Sequence, residues 1–283
     1  MDRMPHLEHL TILVRAIWVI VVVVLAGVPA QADEDCAPCH RAQAEEFAKT
    51  AMARSAATPA FQKEWAEANS DKACLACHAP SGRLGVACRD CHGGGEHPFA
   101  SVAIPDACGR CHDAPGESTV RMFKGSNAAR SGITCLDCHL EAGQGHHAFR
   151  GASDPAFLQN VATVQLALAD ERLIASIRHL AGHGLPGGTT GRAVWLVLRG
   201  LDPNGRTVWI ERQRFGWRND GSGWQDHSLA PDRATVVEIE APGRDGTVAV
   251  EARLLYGRQP ATKPAGEAAA GFEELSRAAI SLP

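Results

Sequence analysis

Cys74-Leu-Ala-Cys77-His78-Ala-Pro-Ser-Gly-Arg-Leu-Gly-Val-Ala-Cys88-Arg-Asp-Cys91-His92 contains two Cys-x-x-Cys-His motifs separated by nine residues. Three more flank this stretch: Cys36-Ala-Pro-Cys39-His40, Cys108-Gly-Arg-Cys111-His112 and Cys135-Leu-Asp-Cys138-His139. The chain has ten cysteines and all of them sit in these motifs. Two thiols three residues apart form thioethers to the two vinyl groups of one haem, and the histidine that follows reaches the iron. Five motifs therefore predict five covalently bound c-type haems, with His40, His78, His92, His112 and His139 as proximal iron ligands. The competing readings are zinc, a disulfide or a redox pair. Zinc would use the pairs two at a time, leave one over, and need no histidine after each second cysteine. A redox pair is expected once, inside a βαβ pattern.

The N-terminus agrees with extracytoplasmic haem attachment. Met1 to Arg15 carries Arg3 and Arg15, Ala16 to Val28 is uncharged and apolar, and Ala30-Gln-Ala32 supplies a small-residue cleavage site. Residues 1–32 are expected to be a secretory signal peptide and the mature protein to be periplasmic in a bacterium, with membrane contact only if the segment stays uncleaved. The formal net charge of −4 becomes more negative once haem propionates are added. That balance argues against nucleic acid as a partner. It favours other redox proteins carrying a basic patch, such as cytochromes, a quinol oxidoreductase or a reductase.

Three further segments follow the leader. Residues 33–157 read as the pentahaem cytochrome c domain, with inter-motif gaps of 33, 9, 15 and 22 residues. Bulky aliphatic residues are few there, so porphyrin is expected to supply the apolar surface hidden on folding. Residues 158–258 change character. Runs beginning at Val161, Leu173, Ala193, Thr207, Thr235 and Thr247 are rich in β-formers, and Asp202-Pro-Asn-Gly205 and Gly243-Arg-Asp-Gly246 read as hairpin turns. Residues 259–283 form a tail with at most one short terminal helix, at Gly271 to Ile280. The expected fold class is mixed: a mainly α and irregular multihaem domain with the haems as its core, followed by an all-β antiparallel, sandwich-like domain.

Function turns on the sixth position at each iron, because a filled site carries electrons and an open one binds substrate. The remaining candidates are His97, His146, His147, His179, His183, His227, Met52 and Met122.

Phe47, Thr50-Ala-Met52-Ala-Arg-Ser55, Thr58-Pro-Ala-Phe61, Cys74-Leu-Ala-Cys-His-Ala-Pro80, Gly85-Val-Ala-Cys-Arg-Asp-Cys-His-Gly93, Gly132-Ile-Thr-Cys-Leu-Asp-Cys-His139, His147-Ala-Phe-Arg-Gly151 and Gly182-His-Gly-Leu-Pro-Gly187 carry a resemblance. Over most of the mature chain the sequence resembles multihaem cytochromes c related to the tetrahaem electron acceptor of hydroxylamine oxidoreductase. The resemblance implies that His97, His147 and His183 return to irons as distal ligands. If His183 does so, the β region closes over a haem. Two departures stand out. Met52 lies where relatives commonly place a histidine, and a thioether there would raise that haem's potential; packing against porphyrin is the other reading of Met52. Gly125 to Ala129 lacks a histidine that relatives often have, which leaves one haem open or filled from elsewhere, for instance by Met122.

The sequence therefore reads first as a periplasmic pentahaem c-type cytochrome that carries electrons between redox partners. The alternative is a haem enzyme acting on a small nitrogen or oxygen species at a five-coordinate iron, with Arg121, Lys124 and Arg130 as loose candidates to assist. A third reading makes the β region a docking module. No phosphate loop, dinucleotide fingerprint or nucleophile elbow occurs.

Overall fold

Arg41–Ala48, rich in Ala and Glu, forms helix α1 directly behind the first motif and buries Ala44 and Phe47, one turn apart on one face. The structure is a computed structural model that describes residues 36–99, 101–114, 116–140, 145–188, 191–219, 221–240, 246–258 and 271–283. The expected signal peptide, and most of the turn expected at 243–246, lie outside those residues. The chain divides into two compact units between Gly94 and Gly95.

In the first unit the Thr50 hydroxyl donates to the Phe47 carbonyl at 2.7 Å, and a 3-10 turn, Met52–Arg54, comes next. Helix α2, Pro59–Glu67, starts where its sequence says it should. The Thr58 hydroxyl accepts from the Phe61 N–H at 3.3 Å, and Pro59 presets the first helical φ. Phe61 is buried with Ala56 and Ala79, flanked by Trp65 and Leu75. Helices α3, Leu75–His78, and α4, Cys88–His92, carry the second and third motifs. The segment before α4 is tied to the Met52 turn: Val86 donates to the Met52 carbonyl at 2.9 Å and Ala56 donates to that of Leu84 at 3.0 Å. A Cβ on Gly85 would lie 2.3 Å from the Ala53 carbonyl oxygen, so only glycine permits this approach.

The second unit opens with short helices α5, Asp106–His112; α6, Thr119–Lys124; α7, Asn127–Arg130; α8, Cys135–His139; and α9, Pro155–Leu158. Among the described residues nine strands come after them: β1 Ala162–Ala169, β2 Arg172–His179, β3 Ala193–Leu201, β4 Thr207–Phe215, β5 Trp217–Asn219, β6 Trp224–Asp226, β7 Thr235–Glu240, β8 Ala249–Gly257 and β9 Phe272–Ser281. They form antiparallel sheets in the orders β1-β2-β7, β4-β3-β8-β9 and β5-β6. Leu173, Ala175 and Ile177 of β2 face Val194, Leu196 and Leu198 of β3 and Val250, Ala252 and Leu254 of β8 across the main core. The odd residues of β3, Ala193, Trp195 and Val197, are buried on the other face with Leu255. Strand β3 is thus apolar on both faces. Leu158 of α9 enters the same core, which fastens the segment after the fifth motif onto the sheets.

The expected fold class is corrected by these observations. The structure is sheet-rich: its longest described helix has nine residues and its longest strand ten. The large side-chain core lies between antiparallel sheets, and a mainly helical domain built around haem is not what the chain forms. Helices stay short because motif, glycine and proline succeed one another every few residues, whereas the β-forming runs continue almost to the C-terminus. The tail is part of this. Residues 272–281 pair with β8 as a strand and not as the short helix expected there, and Leu275, Ala278 and Ile280 pack into the main core. A bulge opposite Leu254/Leu255 shifts the register at Leu275, so the apolar residues step by three before they step by two. That step imitates a helix in the sequence. Among the described residues no helix is long and apolar enough to cross a membrane.

Ser126, fully buried, joins α6 to α7: its hydroxyl donates to the Phe123 carbonyl at 2.7 Å and accepts from Ala129 N–H at 3.3 Å. Alanine there leaves both backbone groups without that partner. We expect Ser126→Ala to cost about 1 to 2 kcal/mol, read as a lower thermal midpoint with an unchanged haem spectrum.

Candidate functional site

Four of the five motifs end a helix on their histidine: α3, α4, α5 and α8. The first lies in a turn whose His40 N–H donates to the Cys36 carbonyl at 2.9 Å. A helical turn sets cysteines three apart on one face with the histidine beside them, the arrangement that two thioethers and one axial bond require. No disulfide joins any of the ten cysteines. Two motifs carry a cap that sequence reading passed over. Asp90 and Asp137, third residues of Cys-Arg-Asp-Cys and Cys-Leu-Asp-Cys, accept from the N–H groups of Ala87 and Thr134, each at 2.7 Å. The Thr134 backbone and hydroxyl hold the Asp137 carboxyl below its ordinary pKa. The signal was the shared aspartate, which begins each motif helix with negative charge at its N-terminus.

In the first unit His78, the histidine of the second motif, is held from two sides. Phe61 stacks on its ring with centroids 4.3 Å apart, and the Ser55 hydroxyl donates to the His78 carbonyl at 2.8 Å. Met52 is partly buried in the 3-10 turn that also holds Ser55 and receives Val86. The turn thus stands between the second and third motifs.

The fifth motif has the most complete surroundings. The rings of His139 and His183 lie with centroids 6.2 Å apart and planes within 13°. The His139 Nδ1 is 2.8 Å from the Arg150 carbonyl oxygen, and the His183 Nδ1 is 2.9 Å from that of Gly184. Each Nδ1–H therefore has an acceptor, which leaves Nε2 as the nitrogen for a metal. Two imidazoles this close, each with Nε2 uncommitted by these bonds, could both serve as ligands to one haem iron. Desolvation pushes the His183 pKa down to about 4, with the nearby His139, His179 and His112 adding to it, so the imidazole is in the neutral form a metal binds.

The loop carrying His183 is fixed by contacts that tolerate little change. Leu185 and Leu229 exchange backbone hydrogen bonds at 2.9 and 2.8 Å. A Cβ on Gly182 would lie 2.9 Å from the Ala128 Cβ, and one on Gly184 would lie 2.3 Å from the Met122 Sδ. Met122 thus packs behind this loop. On the other flank Phe157 tilts against His139 with centroids 5.2 Å apart, and the Arg150 guanidinium lies 5.3 Å from the centre of the Phe157 ring. Cys108 and Cys135, first cysteines of the fourth and fifth motifs, are in hydrogen-bonding contact, which draws the Cys135 thiol down to about 7. Two anchoring points that are 27 residues apart in sequence are therefore neighbours in space.

The other expected ligands lie elsewhere. His97 is exposed and meets Phe99 edge-on at 5.6 Å, and His147 is half-buried and meets Phe149 edge-on at 6.3 Å. His146 is exposed. His179 turns Nε2 to the carbonyls of Leu229 and Ala230, at 3.1 and 2.9 Å, which makes it part of the loop scaffold. The cations suggested for an open-haem enzyme are in surface pairs: Arg121 with Asp113 at 3.6 Å, Lys124 with Asp106 at 3.0 Å and Arg130 with Asp232 at 3.9 Å.

Comparison with solved structures places this arrangement in a class. The chain matches a pentahaem cytochrome c552 from Thermochromatium tepidum with a TM-score of 0.63 and 18% sequence identity, over 89% of this chain and 99% of that one. It shares the fold of a multihaem cytochrome c. This likeness does not single out the tetrahaem branch suggested by the sequence resemblance. A superoxide reductase in the oxidised state matches at a TM-score of 0.23 and 8% identity, over 44% of this chain and 89% of that one. A hypothetical protein from Pyrococcus horikoshii matches at 0.23 and 10%, over 47% and 95%. Neither carries structural weight. No protein-family model and no curated protein matches the chain.

Proposed function

We propose that this protein is a periplasmic c-type cytochrome that binds five haems covalently and passes electrons between redox partners. The observation that carries the reading is the His139/His183 pair, two nearly parallel imidazoles at 6.2 Å. If both side chains held one iron, that site would have no open position for a substrate and would transfer electrons. The haem supplies the one-electron step when bound.

The chain does the rest. Cys135 and Cys138 would anchor the porphyrin, and the carbonyls of Arg150 and Gly184 engage Nδ1 of His139 and His183, which leaves Nε2 for the metal. Phe157 and the closely packed Gly182 to Gly187 loop cover part of the two imidazoles, which would tune the potential of a haem held there. The proximity of Cys108 and Cys135 would place the fourth and fifth haems near one another, which favours electron transfer between them. Distal roles for Met52, His97 and His147 belong to the same proposal. So do an acidic holoprotein surface and partners with a basic face: other cytochromes, a quinol oxidoreductase or a reductase.

Low-temperature EPR of the oxidised, haem-loaded protein tests this, repeated after addition of nitric oxide. The expected result is five low-spin ferric irons whose spectrum nitric oxide leaves unchanged. A high-spin ferric signal that nitric oxide abolishes would overturn the pure carrier reading and reveal an open iron.

A further inference from the structure

A pocket of about 320 Å³ opens beside the β5-β6 hairpin, and three arginines stand in its walls. Arg214 at the end of β4, Arg218 in β5 and Arg233 ahead of β7 line it, together with His227. Elsewhere on the sheets arginines are matched by glutamates across strands: Arg172 with Glu238 at 2.8 Å, Arg199 with Glu251 at 3.0 Å, Arg253 with Glu274 at 2.6 Å. In the pocket no such match exists among the described residues. The lining carboxylate, Asp226, has both oxygens occupied, one by the Ser118 hydroxyl and the other by the Ser228 N–H, each at 2.9 Å.

Three guanidinium groups therefore share the pocket with a single carboxylate, which leaves positive charge in excess there. Arg214 is kept in place by donating to the Trp217 carbonyl at 2.6 Å, where burial and the charge of Arg218 both act against its own protonation. The His227 Nε2 is buried and meets no hydrogen-bond partner among the described residues. A buried polar atom without a partner, beside cations that repel one another, is an environment that a bound anion would stabilise.

We infer that this pocket binds a small multivalent oxyanion of the phosphate or sulfate class. Guanidinium forks match the paired oxygens of such an ion, and a multivalent charge relieves more repulsion than a halide does. The concave shape and small volume suit a free ion better than a protein segment. The segment 226–229 that forms one wall also pairs with Leu185, two residues from His183, so a bound anion would rest on the structure that holds that loop.

Isothermal titration of the haem-loaded full chain at low ionic strength, with inorganic phosphate and separately with sulfate, tests the inference. Chloride serves as the monovalent control and Arg172→Gln as a variant with the same charge change elsewhere. The expected result is one saturable site per chain for at least one of the two ions, weakened at least tenfold in Arg218→Gln and in Arg233→Gln and unchanged in Arg172→Gln. Visible haem spectra like that of the parent confirm folding of the variants. Three results would overturn the inference: no saturable binding, as when a haem propionate already fills the pocket; equal weakening by Arg172→Gln, the mark of diffuse surface charge; or equally strong binding of chloride.

Discussion

If His183 holds an iron as proposed, replacing it with alanine in the haem-loaded protein is expected to convert one ferric iron from low spin to high spin. The signals of the other haems are expected to stay as they were. His183 is the imidazole 6.2 Å from His139, and its Nδ1 is already committed to the Gly184 carbonyl. Removing the ring leaves a gap the size of a small ligand, and cyanide or nitric oxide then binds to that iron alone. His183→Met is the informative companion: a thioether restores six coordinate positions and low spin but raises the potential of that haem, since thioether sulfur favours the reduced metal. Optical redox titration reads the upward shift. Should His183→Ala leave all five haems low-spin, the distal ligand of the fifth motif would have to come from another element.

The largest loss of stability is expected in the sheets. Leu254 in β8 is fully buried and faces the cluster formed by Leu173, Leu196 and Val250. Leu254→Ala removes the transfer free energy of the side chain and opens a cavity that paired strands on both sides cannot collapse into. The expected cost is about 3 to 4 kcal/mol. It is read as a lower urea midpoint of the β-sheet circular dichroism band at unchanged slope. Val236→Ala, at a position 54% exposed on β7, is the control and should stay within about 0.5 kcal/mol of the parent. A loss of similar size in both variants would mean that unfolding is not governed by this core.

The motifs were legible in sequence because their chemistry is local. Five residues hold two sulfurs and a nitrogen around one porphyrin, and a single helical turn provides the geometry wherever the motif stands. The longer β-runs were legible for the same reason: Leu173 to Ile177 and Ala193 to Leu198 show β-formers over a full strand, and Asp202-Pro-Asn-Gly205 forms its expected turn, with Gly205 at φ +75°. Strands β5 and β6 were missed because they are three residues each and rich in polar side chains. The tail was misread because a bulge at Leu275 breaks the alternation by which a strand is recognised. The mainly helical haem domain was an error of another kind. Sparse aliphatic content showed how little core the motif region could build, but not that the sheets would hold the dominant core and draw Leu158 into it.

Sequence by itself determined which side chains can hold haem, how many motifs there are, and which histidine stands after each pair of cysteines. These depend on covalent reach along a few bonds, and no folding is needed to read them. The tertiary structure alone decided that His183 stands across from His139, 44 residues away, while His179, one helical turn earlier in number, is spent on backbone carbonyls. It also brought Cys108 to Cys135 and gathered Arg214, Arg218 and Arg233 around one pocket. Such pairings arise from strand register and from close backbone approach at Gly182 and Gly184, which are properties of packing between distant segments and leave no periodic trace in the chain.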